Sequence, residues 1–492
     1  MKKNVRELFS GLWEKTKKTF SKLSEKVKKL LADLKIVFGK VWKRIKELWA
    51  KYVESFKTET KTKAITAAVG LLILAIAATT IIHHYAKCLH SFEDDKCEKC
   101  GISSSLVYKF DYNSETDTYS VSGRNVWKKL YDEVTLPDSY KGKAVSAIAP
   151  YAFDYTSKLR SVEIPGSVNE IGRGAFLCAG KLNQVTMGEG LSVIGQEAFG
   201  ACKSLRSVSF PESLETIGIG AFFNCVNLAE VAIPDGVKKI ERNAFEGCTG
   251  MKSLSLGGSV EYIGNMAFAF CNLDTVEGGS DVYRNDGGSI IEIESGTLVI
   301  GTNAGVIPEG TKIIGAYAFS SRTTVTAVTL PDSVNEIATY AFYDCDALKD
   351  VKLGGGVETI GEKAFYSVDP LAEITFPESL RAIGGEAFSA CGSLKKLVIP
   401  DGVTSIGSRA FANCGSLTEV VIGSGVTYIG DKAFLFCVEL ISFEFRDTEG
   451  WSVSQNADGS EPTAISPDQL ADSKQAHAHF TGKYKNHHWF KN

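Results

Sequence analysis

The chain repeats itself with a period of 23 residues, and this constrains its fold more than any other feature. Twelve phenylalanines recur at that interval in two series. The series are Phe153, Phe176, Phe199, Phe222, Phe245 and Phe268, and then Phe319, Phe342, Phe365, Phe388, Phe411 and Phe434. A fixed period of this size indicates stacked units, because one unit cannot bury its apolar face alone. With 492 residues, the chain is therefore expected to form an extended array rather than one globular core.

Each unit contains two apolar segments. The first has the spacing L-x-x-V-x-I, as in Leu228, Val231 and Ile233, and Pro234 ends it. This alternation predicts a short strand whose apolar residues face inward. The second segment, V-x-x-I-G-x-x-A-F in most units, suits a tight turn or a single helical turn that packs on the strand. The predicted fold is a leucine-rich-repeat solenoid, in which each 23-residue repeat is a β-strand plus a turn or short helix.

The repeat unit also resembles a known family. The segment IPDGVTSIGSRAFANCGSL, residues 399–417, is similar to the BspA-type leucine-rich repeats of surface proteins from bacteria and some protists. The flanking segments YKFDYNSETDTYSVSG and GWSVSQ…HFTGKYKNHHWF resemble the β-rich N-terminal cap and the C-terminal tail of that family. The resemblance covers about residues 104–445 and implies a curved right-handed solenoid with roles in adhesion and ligand binding. The implied segments are a cap at 104–147, repeats at 148–276 and 307–445, and a C-terminal cap or tail at 446–492.

The period breaks once. Phe268 and Phe319 are 51 residues apart, which is two units plus five residues. Residues 277–306 are therefore expected to be an insertion, in which IIEIESGTLVIG predicts a β-hairpin that turns around Glu294, Ser295 and Gly296. The hairpin is either a ligand loop or a bridge between two half-arrays, and we favour the bridge.

Residues 64–82 carry no charge and predict a transmembrane helix, because nineteen helical residues span ~28 Å. A cleaved signal peptide and a buried core helix are the alternatives. Residues 1–63 contain 19 Lys and Arg against 7 Asp and Glu, whereas the rest of the chain contains 35 against 51. The positive-inside rule then places the N-terminus in the cytoplasm and the repeats outside, as in a single-pass cell-membrane protein.

The N-terminal segment, residues 1–63, predicts a basic amphipathic helix. Its apolar residues from Phe20 to Val41 alternate spacings of three and four. Such a stripe either pairs with a second copy as a coiled coil or lies on the anionic inner leaflet, with its lysines on the headgroups. The many lysines and the tryptophans favour the leaflet. The sequence does not decide whether this helix forms a homo-oligomer. No nucleic-acid partner is expected.

Residues 83–103 predict a zinc-ribbon-like motif. Cys88, His90, Cys97 and Cys100 follow the spacing C-x-H-x6-C-x2-C. Two close pairs of soft ligands can surround one Zn²⁺ tetrahedrally, and four protein ligands leave no position for a catalytic water. The predicted zinc is therefore structural. A disulfide between two of these cysteines is the alternative, since the predicted extracytoplasmic side would permit it.

No enzyme is expected. All seven histidines lie outside the repeats, so no Ser-His-Asp or Cys-His arrangement can form within the solenoid. The four tail histidines are expected to lie in a solvated, basic end-segment rather than in a metal site.

The expected function is binding or adhesion to an external protein or glycan. The outward positions of the strands vary between units, whereas the inward positions do not, which is typical of a recognition surface. The expected contact residues include Arg206, Ser207, Ser209, Lys395, Lys396 and Val398. The alternatives are an envelope scaffold that oligomerises through the N-terminal helix, and an intracellular repeat protein that binds partners.

The position three residues after each repeat phenylalanine is usually cysteine. It is Cys202, Cys225, Cys248, Cys271, Cys345, Cys391, Cys414 and Cys437. The same position holds Thr156, Ala179, Arg322 and Val368 elsewhere. A nucleophile or metal ligand would not exchange with alanine and valine, so these cysteines are expected to be small, buried and inert.

Overall fold

The computed structural model describes residues 108–124 and 132–491, together with the backbone of two short strands, Phe92–Glu93 and Lys96–Cys97. The chain divides into two compact units, Met1–Leu106 and Val107–Asn492. The predicted basic helix at 1–63 and the predicted membrane helix at 64–82 lie outside the described residues. Among the residues that are described, no helix is long and apolar enough to cross a membrane.

The repeats form a solenoid, as predicted, and each has a first strand made by the L-x-x-V-x-I segment. In the strand Glu230–Ala232, Val231 is buried and its two neighbours are exposed, so the alternation follows the sequence. These strands pair in parallel into four sheets. They are Glu133–Thr135, Ser161–Ile164, Gln184–Met187, Ser207–Val208, Glu230–Ala232, Ser253–Leu256, Thr275–Gly278, Ala327–Thr329, Asp350–Lys352, Lys396–Val398, Glu419–Ile422 and Ser442–Phe445.

The second segment of the repeat begins with a two-residue strand, which was not predicted, and continues into the predicted tight turn that carries the phenylalanine. The alternative, a helical turn, is not found, because residues 132–445 contain no helix. The main chain explains the difference, because Gly195 N donates to Ile171 O of the preceding coil at 2.7 Å and so extends a ladder. A Cβ at Gly195 would lie 2.7 Å from that oxygen, so the two coils approach closely there. Where the glycine is replaced, by Glu241 and Ala338, the same hydrogen bond is 2.9 Å long. The second strands are Glu170–Ile171, Val193–Ile194, Thr216–Ile217, Lys239–Ile240, Tyr262–Ile263, Ile313–Ile314, Glu336–Ile337, Thr359–Ile360, Ala382–Ile383, Ser405–Ile406 and Tyr428–Ile429.

Neighbouring regular coils are in register at an offset of 23 residues, which falls to 22 between Ser253–Leu256 and Thr275–Gly278, just before the insertion. Val231 lies opposite Leu254 in the first strands, and Ile240 lies opposite Ile263 in the second. The turn that carries the phenylalanine is joined to the next coil as well, because Phe222 N donates to Ala244 O at 2.7 Å. Each coil is therefore hydrogen-bonded to its neighbour on three sides.

The phenylalanines form a stacked column inside each half of the array. Adjacent ring centroids are 5.0 to 5.5 Å apart, and the rings are within 10° of parallel. Phe411, for example, is fully buried between Phe388 and Phe434. The column is the centre of a continuous core of buried leucine, isoleucine, valine and alanine.

The predicted hairpin in the insertion is present. Ser289–Glu292 and Thr297–Ile300 pair antiparallel, and a third strand, Tyr283–Asp286, pairs with the first of them. Thr297–Ile300 then pairs in parallel with the second strand Ile313–Ile314. The insertion thus begins the sheet of the second half-array.

The insertion also contacts the first half-array. The hydroxyl of Tyr283 accepts a hydrogen bond from Ile263 N at 2.9 Å, and Asn303 N donates to Leu273 O at 2.8 Å. The insertion therefore joins both halves, as expected of a bridge.

Both ends of the solenoid are capped. At the N-terminal end, the strand Tyr108–Asn113 pairs antiparallel with Thr118–Arg124. The strand Lys143–Ile148 pairs in parallel with Thr118–Arg124 and antiparallel with the short strand Ser139–Tyr140. The C-terminal cap contains the strands Trp451–Ser454, Thr463–Ala464 and His488–Lys491, the helices Pro467–Ala471 and Ser473–Ala478, and the π-helical turn His479–Lys483. The last strand, His488–Lys491, pairs antiparallel with Tyr428–Ile429 and so covers the final coil.

Candidate binding surfaces

The outward positions of the first strands are exposed, as the sequence predicted. Arg206, Ser207 and Ser209 are open to solvent around the buried Val208. In the second half-array, Lys395 and Lys396 are exposed, and Val398 is exposed over 37% of its surface. Lys396 Nζ lies 2.8 Å from Glu419 Oε1 of the next coil. This surface is regular, and its polar side chains are exposed to solvent.

The same face is interrupted in the second half-array. Residues 371–377 form no strand, so the sheets on either side of them are separate. A depression of about 260 Å³ lies here, lined by Lys349, Lys352 and Glu373 among others. The sequence did not predict this interruption, because the repeat PLAEITFPESL keeps the usual apolar spacing.

Five aromatic rings form a second surface that sequence reasoning missed. Phe270, Tyr317, Tyr340, Tyr343 and Tyr366 lie in the turns around the phenylalanine column and are half-buried. We call this group the tyrosine platform. Tyr317 stacks on Tyr340 at 4.8 Å between centroids, and Tyr343 stacks on Tyr366 at 5.2 Å. The sequence does contain a pattern that could have predicted this group. Tyrosine recurs in successive repeats either two residues before the repeat phenylalanine or one residue after it.

The sequence profile of the BspA type Leucine rich repeat region matches residues 128–251, 169–286 and 302–416, which together span more than half of the chain. The chain belongs to the BspA-type leucine-rich-repeat family. The resemblance inferred from the repeat unit is thereby confirmed. No curated protein sequence matches the chain.

Solved structures of leucine-rich-repeat proteins resemble this BspA-type chain. A leucine rich cell surface protein from Faecalibacterium prausnitzii is 28% identical, with a TM-score of 0.53, and the match covers 70% of this chain and 94% of that one. The pneumococcal vaccine antigen PcpA is 23% identical, with a TM-score of 0.56 and coverage of 70% and 87%. A leucine-rich repeat protein from Eubacterium ventriosum is 18% identical, with a TM-score of 0.50 and coverage of 68% and 93%. The last two similarities concern the fold alone.

The repeat cysteines of this BspA-type protein are buried packing residues, as predicted. All nine cysteines of the repeats are free thiols, and all but Cys178 are buried. Cys414 Sγ donates to Phe388 O at 3.2 Å, and the other seven in the column make the equivalent contact. Burial raises the pKa of Cys225 and of Cys391 to about 12. Because the thiolate is the reactive form, these thiols are inert at neutral pH.

Arg322 is the one charged residue among the twelve that follow a repeat phenylalanine by three positions. It is only 1% exposed, and burial lowers its pKa to about 10, so it stays charged at neutral pH. Its Nε donates to Gly301 O at 2.8 Å, Nη1 to Ser320 O at 3.1 Å and Nη2 to Ala318 O at 3.4 Å. Arg322 thus replaces the thiol at the coil that follows the insertion, where a longer side chain reaches back to the bridge.

A cavity of about 190 Å³ lies beside Arg322 at the junction of the two half-arrays. It is lined by Met266, Phe268, Thr297 and Tyr317 among others. The break in the phenylalanine column between Phe268 and Phe319 leaves this space.

The predicted zinc ligands Cys88, His90 and Cys100 lie outside the described residues, and only the backbone of Cys97 is described. That backbone forms a hairpin, in which Cys97 lies opposite Phe92. Within the part of the chain that the structure describes, no three His, Cys, Asp or Glu residues gather in a way that could hold a metal ion.

The sequence predicted that the tail histidines lie in a solvated segment, and this prediction is wrong. They are half-buried and belong to the folded C-terminal cap. Phe480 stacks on Trp489 at 4.0 Å, and this apolar pair buries the segment. His488 Nδ1 lies 2.8 Å from the hydroxyl of Tyr428. Burial lowers the pKa of the half-buried His479. Of these histidines, His488 contacts the last coil, which the strand His488–Lys491 covers.

Proposed function

We propose that this chain is a membrane-anchored cell-surface protein that binds an external protein or glycan through its solenoid and catalyses no reaction. The observation that carries the proposal is the contrast along the first strands, where inward residues are buried and uniform and outward residues are exposed and varied. Solenoids use such extended faces for binding. The family membership and the likeness to a cell-surface protein of F. prausnitzii also support this proposal.

The anchor would be residues 64–82, with the basic segment 1–63 on the cytoplasmic leaflet and the acidic repeats outside. Protease treatment of intact cells tests this topology. We expect the repeats to be degraded while the segment 1–63 stays protected. Repeats that resist the protease until the cells are lysed would overturn the surface location in favour of an intracellular protein.

The binding face is tested by reversing charge at two of its exposed positions. Replacing Lys395 and Lys396 with glutamate should weaken adhesion to immobilised matrix proteins or cell-wall glycans about tenfold, because rim charges steer a partner and exclude wrong ones. Replacing Lys238 and Lys239 together with glutamate is the matched control, since both lysines are exposed but lie at a second strand, Lys239–Ile240. Equal adhesion of both variants and the native chain would rule out this face as the contact surface.

We also propose that Cys88, His90, Cys97 and Cys100 hold one structural Zn²⁺. The hairpin between Phe92 and Cys97 supports this, because it reverses the chain between the two ligand pairs. A bound metal would protect these thiolates from alkylation, whereas the repeat thiols are protected by burial alone.

Alkylation of the full-length protein, read by mass spectrometry, separates these two kinds of cysteine. Without a chelator, we expect only Cys178 to react rapidly, since it is the one repeat cysteine that is not fully buried. With a chelator, Cys88, Cys97 and Cys100 should join it while Cys414 stays unreactive. Labelling of residues 88–100 that does not depend on the chelator would argue against zinc, and a disulfide would show as labelling only after reduction.

A further inference from the structure

The cavity beside Arg322 lies where the sheets of the two half-arrays are separate. The second-strand sheet of the first half ends at Tyr262–Ile263, and the sheet of the second half begins in the insertion. Ile263 from the first sheet and Val299 from the second both line this space of about 190 Å³. We call it the junction cavity. Asn265, which is exposed, also lines it, so a small solute can enter from the surface.

Two main-chain N–H groups in the residues that line the junction cavity lack the partners that the repeat would give them. In the preceding coil, Phe245 N donates to Ala267 O at 2.8 Å, and the N–H two residues before it donates to the same neighbouring coil. One coil later, the equivalent donors are Met266 N and Phe268 N. Neither of them forms a hydrogen bond with an atom of the described residues.

The insertion explains why these donors are unpaired. By the repeat, Phe268 N would donate to Ala318 O, but that oxygen accepts from Gly301 N at 2.9 Å instead. The next donor of the turn, Phe270 N, reaches the second half only through the hydroxyl of Ser320, at 3.0 Å. The two N–H groups are thus left without acceptors, although main-chain donors inside proteins are nearly always paired.

The third donor group is the guanidinium of Arg322, which is buried and lines the same cavity. A guanidinium has five N–H groups. Three of them donate to the carbonyls of Gly301, Ser320 and Ala318. The other two have no acceptor within the part of the chain that the structure describes, so Arg322 can still bind a ligand.

The charge of Arg322 is not balanced either, because no carboxylate of the described residues forms an ion pair with it. Asp274 is the acidic residue whose charge acts on it. Asp274 is already engaged, since it lies 3.7 Å from Lys252 Nζ and accepts a hydrogen bond from Asn303 Nδ2 at 2.6 Å. Buried charges in proteins are normally paired with a charge of opposite sign. An anion in the junction cavity would therefore satisfy both the charge and the N–H groups.

We propose that the junction cavity binds a small organic carboxylate, whose oxygens accept hydrogen bonds from Arg322, Met266 N and Phe268 N. Its apolar part would lie against Ile263 and Val299. A cavity of about 150 Å³ holds benzene, so the junction cavity admits a molecule of roughly six non-hydrogen atoms. Chloride would balance the charge but leave the apolar wall without a partner. This site goes beyond the proposed function, because it lies between the half-arrays and not on the face of the first strands.

Titration calorimetry of the full-length protein in neutral detergent micelles, with butyrate as the probe, tests the proposal. Butyramide is the matched compound, because it has nearly the same shape without the charge. We expect saturable binding of butyrate and binding of butyramide that is about tenfold weaker or less, because hydrogen bonds to a charged group are the stronger ones. Chloride at the same ionic strength should also bind more weakly than butyrate.

Two variants locate the site. Arg322→Met removes the cation, and Val299→Phe fills the cavity from a half-buried position in the strand Thr297–Ile300. Both should abolish saturable binding, and Val299→Phe keeps the test valid if Arg322→Met does not fold. Val193→Phe is the matched control, because it enlarges another half-buried valine, in the second strand Val193–Ile194. It should bind butyrate like the native chain.

Hydrogen exchange provides a readout that a merely structural role of Arg322 would not change. Butyrate should slow the exchange of the amides of Met266 and Phe268, whereas butyramide should not. Equal binding of butyrate and butyramide, or native binding of butyrate by Val299→Phe, would overturn the site. Chloride that binds as tightly as butyrate would replace the carboxylate with a simple ion, and the absence of saturable binding would mean that water alone occupies the cavity. Each of these results leaves the proposed adhesive function untouched.

Discussion

Replacing Phe411 with alanine should lower the free energy of unfolding by about 3–5 kcal/mol, the usual cost of a large cavity in a core. Phe411 is fully buried and is stacked between Phe388 and Phe434, so the vacated space is closed on both sides by rings that cannot move inward. Urea denaturation followed by circular dichroism measures the loss. Because coils contact only their neighbours, hydrogen exchange should rise most in the coils next to Phe411.

Phe436→Ala is the matched control for this variant. Phe436 lies in the next coil and is 64% exposed, so its removal should change stability by about 0.5 kcal/mol or less. Similar losses for Phe411→Ala and Phe436→Ala would mean that the phenylalanine column is not what holds the coils together.

Replacing Arg322 with methionine should cost about 2–4 kcal/mol, although the new side chain is apolar and of similar length. The guanidinium donates to Gly301, Ser320 and Ala318, and methionine would leave these carbonyls with fewer donors inside the core. A buried polar group that loses its partner costs about 1–3 kcal/mol. Urea denaturation checks the loss, and increased hydrogen exchange should centre on the insertion, residues 277–306.

Two further variants serve as controls for Arg322→Met. Arg206→Met, at an exposed position, should be near neutral. Arg322→Lys keeps the charge but presents fewer donors in a less rigid geometry, so it should recover only part of the stability. Native stability of Arg322→Met would show that the arginine merely fills space.

The sequence was sufficient to predict the regular part of the fold because one physical requirement recurs in every coil. Residues such as Val231 and Ile240 must face inward in each repeat, so the period and the apolar spacing specify the stack. The second strand was missed because two residues such as Lys239 and Ile240 have no recognisable strand pattern of their own. They are extended only because the preceding coil supplies hydrogen-bond partners.

The candidate surfaces were predicted only in part, for a related reason. The exposed strand positions follow from alternation alone. The stacked tyrosine pairs of the platform follow the 23-residue period, but the contact of Phe270 with Tyr343 depends on how coils separated by the insertion are brought together, and no local pattern carries that information. Arg322 could be recognised as an exception in the cysteine column, but its role depends on the carbonyl of Gly301, which only the folded bridge places within reach.

The 23-residue register also governs how such a chain can change in length. Removing one whole coil, such as residues 202–224, would leave every later strand opposite an equivalent partner, whereas removing a single residue would put the strands that follow it out of the 23-residue register. Recombination between repeats is therefore tolerated in steps of one coil, which changes the length of the solenoid by about 5 Å each time. The junction between the two half-arrays departs from this rule, because it contains five residues more than two whole units. There the chain forms three antiparallel strands and buries an arginine.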